Sequence, residues 1–439
     1  MQLSTISQRF LAFTLAMVLC AGSQATGQAG SLDPTFGTNG IFTATTVRPF
    51  AAAVAIQTDG KIVVAGGAVA NNNFADTLIR LNPNGTLDTT FGSGGIVTIE
   101  PAGGFFALVI QPNGEIVAAG EGPTVNNAIV QVARFKTNGS LDPSFGSGGI
   151  TTTGAIPFTP FNATGALALQ PNGEILVAAS NPGVMARFTT SGQLDTTFGT
   201  GGVANLTNGG PSLAETAGPC PTRIAVQTSG TILVAAGVYS PTPVALAGII
   251  SRYNSNGSLD TTFGAGGQVA SVASASALLL QSNGKIVVAG TLTSKIAVPP
   301  AINDVGFGIV RYSANGAIDS TFGTGGVAVA DFGATFPLSG AFALAIQSNG
   351  DLVAGVAAGA QPTGGNTSSF GLARFTSAGV LDTTFGTGGE VTTTFDNAPP
   401  AVSFVTGLAI QSDGKIVAVG TSTFDIESSD AYVARYLGQ

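Results

Sequence analysis

Short runs of β-branched and aliphatic residues, separated by glycine-rich turns, recur along almost the whole chain. In the first complete unit, Ala53-Val-Ala-Ile-Gln57 and Lys61-Ile-Val-Val-Ala65 flank Thr58-Asp59-Gly60, which predicts a hairpin whose glycine needs positive φ. A third strand is expected at Thr77-Leu-Ile-Arg-Leu81 and a fourth at Gly95-Ile-Val-Thr-Ile99. The third strand is apolar on both faces: Val132, Ala133 and Phe135 surround Arg134, and Val433, Ala434 and Tyr436 surround Arg435. Such a strand needs neighbours above and below, which sheets stacked side by side supply and a free-standing sheet does not.

Three markers recur seven times each. A Leu-Asp-x-x-Phe-Gly segment begins at Leu32, Leu87, Leu141, Leu194, Leu259, Ile318 and Leu381, with Ile replacing Leu once. A glutamine stands three residues before a turn glycine at Gln57, Gln111, Gln170, Gln227, Gln281, Gln347 and Gln411; Ser229-Gly230 replaces the usual Asn/Asp-Gly pair in one of these turns. An arginine is followed by Leu, Phe or Tyr at Arg80, Arg134, Arg187, Arg252, Arg311, Arg374 and Arg435. Successive motif aspartates lie 53 to 65 residues apart, a period suited to a four-stranded blade with generous loops. The expected fold is all-β, a seven-bladed β-propeller of four-stranded antiparallel blades forming one domain over residues 30–439. Phenylalanines such as Phe91 and Phe145 are expected to fill the wedges between blades.

Each of the first six motif arginines precedes its aspartate by eight residues: Arg80 and Asp88, Arg134 and Asp142, Arg187 and Asp195, Arg252 and Asp260, Arg311 and Asp319, Arg374 and Asp382. Seven of the ten arginines occupy this one position, so structural ion pairs explain them better than seven active sites. The two ends are complementary leftovers, since Asp33 lacks a preceding arginine and Arg435 lacks a following aspartate. Asp33 and a strand at 41–45 are therefore expected to complete the last blade beside 431–436, closing the ring and removing an exposed sheet edge.

The pattern typified by Ala55-Ile-Gln-Thr-Asp-Gly-Lys-Ile-Val-Val-Ala-Gly66 and Leu87-Asp-Thr-Thr-Phe-Gly92 resembles the delta-60 repeat of bacterial exported proteins, from Leu32 to Tyr436. Its strand order is also similar to NHL-type propellers. The resemblance implies a binding or scaffold role and brings no catalytic residues.

Composition narrows the chemistry. A net charge of −8 disfavours nucleic acid and anionic membrane, which demand clustered Lys and Arg. Histidine is absent, which removes Ser-His-Asp and Cys-His catalysis and the commonest zinc ligand. The alternative to a non-enzymatic binding module is a hydrolase or lyase using carboxylates at the central channel, with Glu121, Glu215, Asp304 and Asp331 as candidates. No cofactor is expected. Asn82-Pro-Asn84-Gly-Thr-Leu-Asp88 faintly resembles a calcium loop, but other units lack those oxygens, and a plain turn is the better reading. The acidic Asp425-Ile-Glu427 and Asp430 read as a solvated loop tip.

At the start of the chain, Arg9, the apolar run 10–19 and the small residues Ala21, Gly22, Ser23 and Ala25 read as a secretory signal within residues 1–29. Cleavage after Ala25 or Ala29 leaves Cys220 as the lone cysteine; lipidation of Cys20 is the alternative, disfavoured by the bulky Leu19 before it. No later run is long and apolar enough for a transmembrane helix. An exported monomer, periplasmic, outer-surface or extracellular, is expected. In an antiparallel meander the Asp-Gly turns and the Leu-Asp segments share one face. The other face carries connections that vary: 66–75, 240–248, 290–306 and 358–370 within units, and 154–165 and 205–222 between them. Variation on a constant scaffold marks this as the binding face, and its uncharged Asn, Thr, Ser, Pro and Gly residues suit a protein surface or a neutral glycan.

Overall fold

The computed structural model describes residues 27–44, 50–70, 73–100, 102–122, 129–152, 165–179, 183–206, 222–241, 244–271, 273, 275–292, 307–332, 341–359, 368–395, 402–425 and 428–439. They form seven four-stranded antiparallel sheets. Blades 1 to 6 take their strands in chain order from 50–99, 104–152, 165–205, 222–271, 277–330 and 341–393. The first strands of neighbouring blades touch in an unbroken circuit that includes the seventh and the first, so they are the innermost strands of a closed ring. This is a seven-bladed β-propeller.

Blade 7 is assembled from both ends of the chain. Val402–Ile410, Ile416–Asp425 and Ser428–Tyr436 supply three strands, and Ile41–Ala44 adds the outermost by pairing antiparallel with the third, Ile41 opposite Ala434 and Ala44 opposite Ala431. The bridge between Leu32 and Tyr436 and the bond from the Asp33 amide to the Arg435 carbonyl, 2.8 Å, extend this closure.

Second and third strands are buried on both faces, as in Val130–Phe135 and Ile175–Ala179. Their side chains form seven apolar layers, each shared by two adjacent blades, and the layer joining blade 7 to blade 1 holds Phe36, Ile62, Val64, Val417 and Val433. Neither sheet of a pair is stable alone, because each covers the other's apolar face.

Strand ends differ from expectation in an instructive way. The segments 66–75 and 240–248, expected as connections, are largely strand: Ile62–Ala70 pairs with Asn73–Leu81 up to Ala70 opposite Asn73, and Ile232–Pro241 pairs with Val244–Tyr253 up to Pro241 opposite Val244. Gly66 suggested a strand end but serves a close approach. A Cβ there would lie 1.8 Å from the Phe50 carbonyl oxygen of the innermost strand. The turn glycines behave as expected, with φ of 83° at Gly60 and 85° at Gly230.

Candidate functional site

The face built from the repeated turns is organised around the seven arginines. In each blade a guanidinium nitrogen lies 2.6 to 2.9 Å from the Oδ2 atom of the motif aspartate, from Arg80 and Asp88 through Arg134 and Asp142, Arg187 and Asp195, Arg252 and Asp260, Arg311 and Asp319, to Arg374 and Asp382. The leftover pair, Arg435 and Asp33, also meets, Nη2 to Oδ2 at 2.9 Å, although 402 positions separate the two; it lacks the Nε bond that the other six arginines make to their aspartates. The other carboxylate oxygen, Oδ1, turns back to cap its own loop, accepting the amide and hydroxyl of the residue two positions on; Thr90 does this for Asp88 at 3.1 and 2.6 Å.

These contacts hold the aspartates ionised. Burial pushes the Asp88 carboxyl upward, but the hydrogen bonds of Thr90 and the charges of Arg80 and Lys61 outweigh it and bring the pKa down to about 2. Asp33, Asp142, Asp195, Asp260, Asp319 and Asp382 are lowered in the same sense.

Each arginine also reaches its neighbour. The Nη1 atoms of Arg134, Arg187, Arg252 and Arg311 donate to backbone carbonyls of the next blade at Thr190, Ser255, Ala314 and Ser377, over 2.6 to 2.9 Å. Arg80 bonds Thr137 and Arg374 bonds Gly438 in the same way, and Arg435 of blade 7 bonds Pro83 of blade 1, which closes the circuit. A third element lies beneath. Each guanidinium stacks on the phenylalanine of its own segment, 4.4 to 4.8 Å from the ring centroid, from Arg80 on Phe91 to Arg435 on Phe36. That ring rests in turn on the next blade: a Cβ on Gly139 would stand 2.9 Å from the Phe91 ring, and one on Gly85 would stand 2.8 Å from Phe36.

The phenylalanines thus do more than the wedge filling expected of them. The cation–π role was legible in the fixed spacing of Arg, Asp and Phe, had the eleven-residue step from Arg80 to Phe91 been read together with the eight-residue step to Asp88. The glutamines, unassigned from sequence, tie innermost turns together; Gln57, Gln170 and Gln347 donate to Gly114, Gly230 and Gly414 of the next blade over 3.2 to 3.3 Å. The irregular Ser229 works as an Asx residue would, its Oγ accepting the Thr231 amide at 3.4 Å where Asp59 accepts that of Lys61 at 3.1 Å.

The calcium-like stretch is likewise a turn. Asn84 Oδ1 accepts the Thr86 amide and hydroxyl, the Asn82 amide donates to Thr86 and to the Leu87 carbonyl, and Asp88 is held as above. Asp425 and Asp430 sit on the paired arms of the blade 7 hairpin, opposite Ser428 and Ser422; Glu427 lies outside the described residues.

Of the four candidate carboxylates, the two that lie among the described residues, Glu121 and Asp331, do not converge. Glu121 ends the second strand of blade 2, and Asp331 follows the outer strand of blade 5, where its amide and that of Phe332 bond Glu390 Oε1 at 3.0 Å. Glu215 and Asp304 lie outside the described residues. The described innermost strands, from Phe50–Ile56 to Val402–Ile410, contain no Asp or Glu.

One acid escaped the sequence reading. Asp76 is completely buried between blades 1 and 2, accepting the Gly104 amide at 2.8 Å and the Gln131 side-chain amide. Burial raises its pKa to about 7, with a smaller push from the nearby Glu121. The available signal was an aspartate inside an otherwise apolar strand, Asn73–Leu81.

On the opposite face the hairpins joining second and third strands are unequal. Blade 4 has arms of 10 residues and blade 3 arms of 5. Among the described residues no helix is long and apolar enough to cross a membrane, and no cluster of three metal-binding side chains occurs.

Several solved propellers are similar in outline. Virginiamycin B lyase from Staphylococcus aureus is 12% identical, with 90% of this chain and 98% of that one covered and a TM-score of 0.45. Sqt1 from Chaetomium thermophilum, bound to the N-terminus of a ribosomal protein, is 11% identical over 90% and 98% of the two chains, with a TM-score of 0.47. The polysaccharide lyase Uly1 is 9% identical over 90% and 91%, with a TM-score of 0.45. No curated protein matches. The family model described as a domain of unknown function (DUF5122) beta-propeller matches 57–91, 111–145, 170–198, 227–263, 281–322, 347–385 and 411–438. Every matched segment begins at a motif glutamine, and the first six end at the phenylalanine under their own arginine, so the matched units are the ones that interlock around the ring: the chain belongs to the DUF5122 β-propeller family.

Proposed function

We propose that this protein is a non-enzymatic binding or scaffold propeller of the cell envelope, a delta-60 repeat protein exported through the signal at residues 1–29. Its unequal hairpins and inter-blade loops contact a protein surface or a neutral glycan. The observation that carries this reading is the occupation of the constant face: its conserved-in-repeat arginines, aspartates and phenylalanines are all engaged in holding blade to blade. The repeated chemistry is therefore architectural, and what differs between blades is left for recognition. The lack of Asp or Glu in the described innermost strands supports a binder over an enzyme using channel carboxylates.

A glycan-array and thermal-shift screen of the purified chain, run beside a turnover assay on each binding glycan, tests this. Saturable binding with the glycan recovered intact is the expected result; cleavage of the bound glycan overturns the non-enzymatic reading. Export is tested by the N-terminus of the expressed chain: processing after Ala25 or Ala29 is expected, and an unprocessed cytoplasmic product overturns it.

A further inference from the structure

The joint of the ring carries aromatic side chains that the repeat does not require. On the outermost strand of blade 7, Phe42 stands two residues after the last turn glycine, where the other blades carry Val97, Thr151, Ala204, Val269, Ala328 and Val391. On the third strand, Tyr432 stands three residues before the motif arginine, a place held elsewhere by Thr77, Gln131, Val184, Ile249, Gly308 and Gly371. No other blade has a ring at either position. Tyr432 stacks on Phe395, which follows the outer strand of blade 6, with centroids 4.2 Å apart, and Phe395 meets Phe370 edge-on at 4.5 Å.

These rings border an open groove of about 660 Å³ across the outer edge of blade 7, with Thr394 and Phe395 of blade 6 on one side and Thr86 and Leu87 of blade 1 on the other. Ordinary ligand sites span ~300–1,000 Å³. None of the lining residues is charged, so a phosphate, sulfate or ammonium group finds no counter-charge there. Threonine hydroxyls alternate with the rings. Thr86 is bonded to Asn82 and Asn84, and Thr394 to Ser369 at 2.9 Å, but the hydroxyls of Thr38 and Thr43, both exposed, have no partner among the described residues. The edge is poorly suited to an added β-strand. Its first residue is already turned back on its own loop, the Thr38 amide donating to the Ile41 carbonyl at 2.8 Å and the Ile41 amide to the Thr38 carbonyl at 3.1 Å.

We propose that this groove binds a neutral oligosaccharide, with a sugar ring against the exposed part of Phe42 and sugar hydroxyls bonded to Thr38 and Thr43. A sugar ring offers C–H faces that pack on an aromatic ring and a rim of hydroxyls that both donate and accept, which matches rings interleaved with free threonine hydroxyls. The class of ligand rests on the binding reading above, and the groove places the contact at the joint. Because the lining comes from three consecutive blades and from both ends of the chain, an occupant also holds the joint closed and raises the melting temperature.

The test titrates the full chain with maltotetraose, cellotetraose and chitotetraose, and with oligogalacturonate as the charged control, reading calorimetric binding and melting temperature. Phe42→Val installs the residue of blades 1, 4 and 6, Thr38→Ala that of blade 4 and Thr43→Val that of blade 5, so each new side chain already has a place in a sister blade. At least one neutral tetrasaccharide should bind the native chain saturably and more tightly than oligogalacturonate. Phe42→Val should weaken that binding about tenfold, and Thr38→Ala with Thr43→Val together about tenfold. Binding that is equal in the native chain and in these variants overturns the groove and leaves the hairpins and loops as the site of a glycan. Saturable binding by none of the neutral probes also overturns it, and the wider binding reading then rests on a protein partner.

Discussion

The two faces of the ring use the same four-stranded blade differently. On the constant face one constellation repeats around the whole circle: arginine, aspartate, phenylalanine and the glycine of the next blade, all at nearly fixed distances. On the loop face no two hairpins need agree, and arm length doubles between blades 3 and 4. The contrast teaches where sequence is constrained by neighbours. A residue that holds the next blade cannot change alone, because each latch joins one blade to the following one and the last back to the first.

Breaking the circuit where the two ends meet should have the largest effect. Removal of residues 27–44 deletes Asp33, Phe36 and the outer strand Ile41–Ala44, leaving Arg435 buried without its carboxylate. An unpaired buried charge costs about 3–5 kcal/mol and loss of a buried phenylalanine about as much again. Urea denaturation should show the midpoint falling steeply; an unchanged midpoint would mean the latch is dispensable.

Acid comes next, since it acts on all seven aspartates together. Their native pKa values lie below the ordinary value of 3.8, so the stability they contribute is complete above that value and is lost as pH falls toward about 2, the native value for Asp88. Asp76, buried near the loop-face ends of its strands, works in the opposite sense: with a native pKa raised to about 7, its contribution is greatest below 3.8 and is lost as pH rises through 7. Melting temperature should therefore fall on both sides of a mildly acidic optimum. Asp76→Asn should flatten the fall between pH 4 and 8 and leave the acid limb intact, a separation that calorimetry across pH can check.

Smaller again are single latches, and they should be graded by burial. Asp88→Ala strands Arg80, the side chains of both being only 5% exposed, and should cost about 3 kcal/mol. At Arg252 and Asp260 both side chains keep 17% of their surface exposed, so Asp260→Ala should cost about 1 kcal/mol, nearer to a solvent-screened pair. Equal losses in chemical denaturation would remove burial as the explanation.

Legibility in the sequence follows the same division. The blade count, the closure by both termini and the partners of Arg80 and Arg435 were readable because seven copies expose what is invariant: a constant step of eight means a rigid connection, and two unmatched ends mean a joint. Gly66 misled because a turn and a close backbone approach select the same residue, and only the position of the Phe50 carbonyl separates them. Asp76 was hidden for another reason. Its partners, Gly104 and Gln131, belong to the next blade and do not recur, so no periodicity reports them.

The smallest expected effect falls on the loop face itself. Phe74 keeps 56% of its surface exposed at the start of the third strand of blade 1, next to the last pair of the hairpin, Ala70 and Asn73. Its carbonyl accepts the Ala102 amide at 3.0 Å, a bond that any residue at this position can make. Phe74→Ala should therefore shift stability by no more than about 0.5 kcal/mol, as surface substitutions usually do. An exposed aromatic ring costs solubility without adding to the core, and its retention is explained if it presents an apolar face to a partner. Binding of whatever protein or glycan the screen identifies should weaken in this variant while unfolding remains unchanged. A loss of stability comparable to that of Asp88→Ala would place Phe74 in the scaffold and erase the distinction between the faces at blade 1.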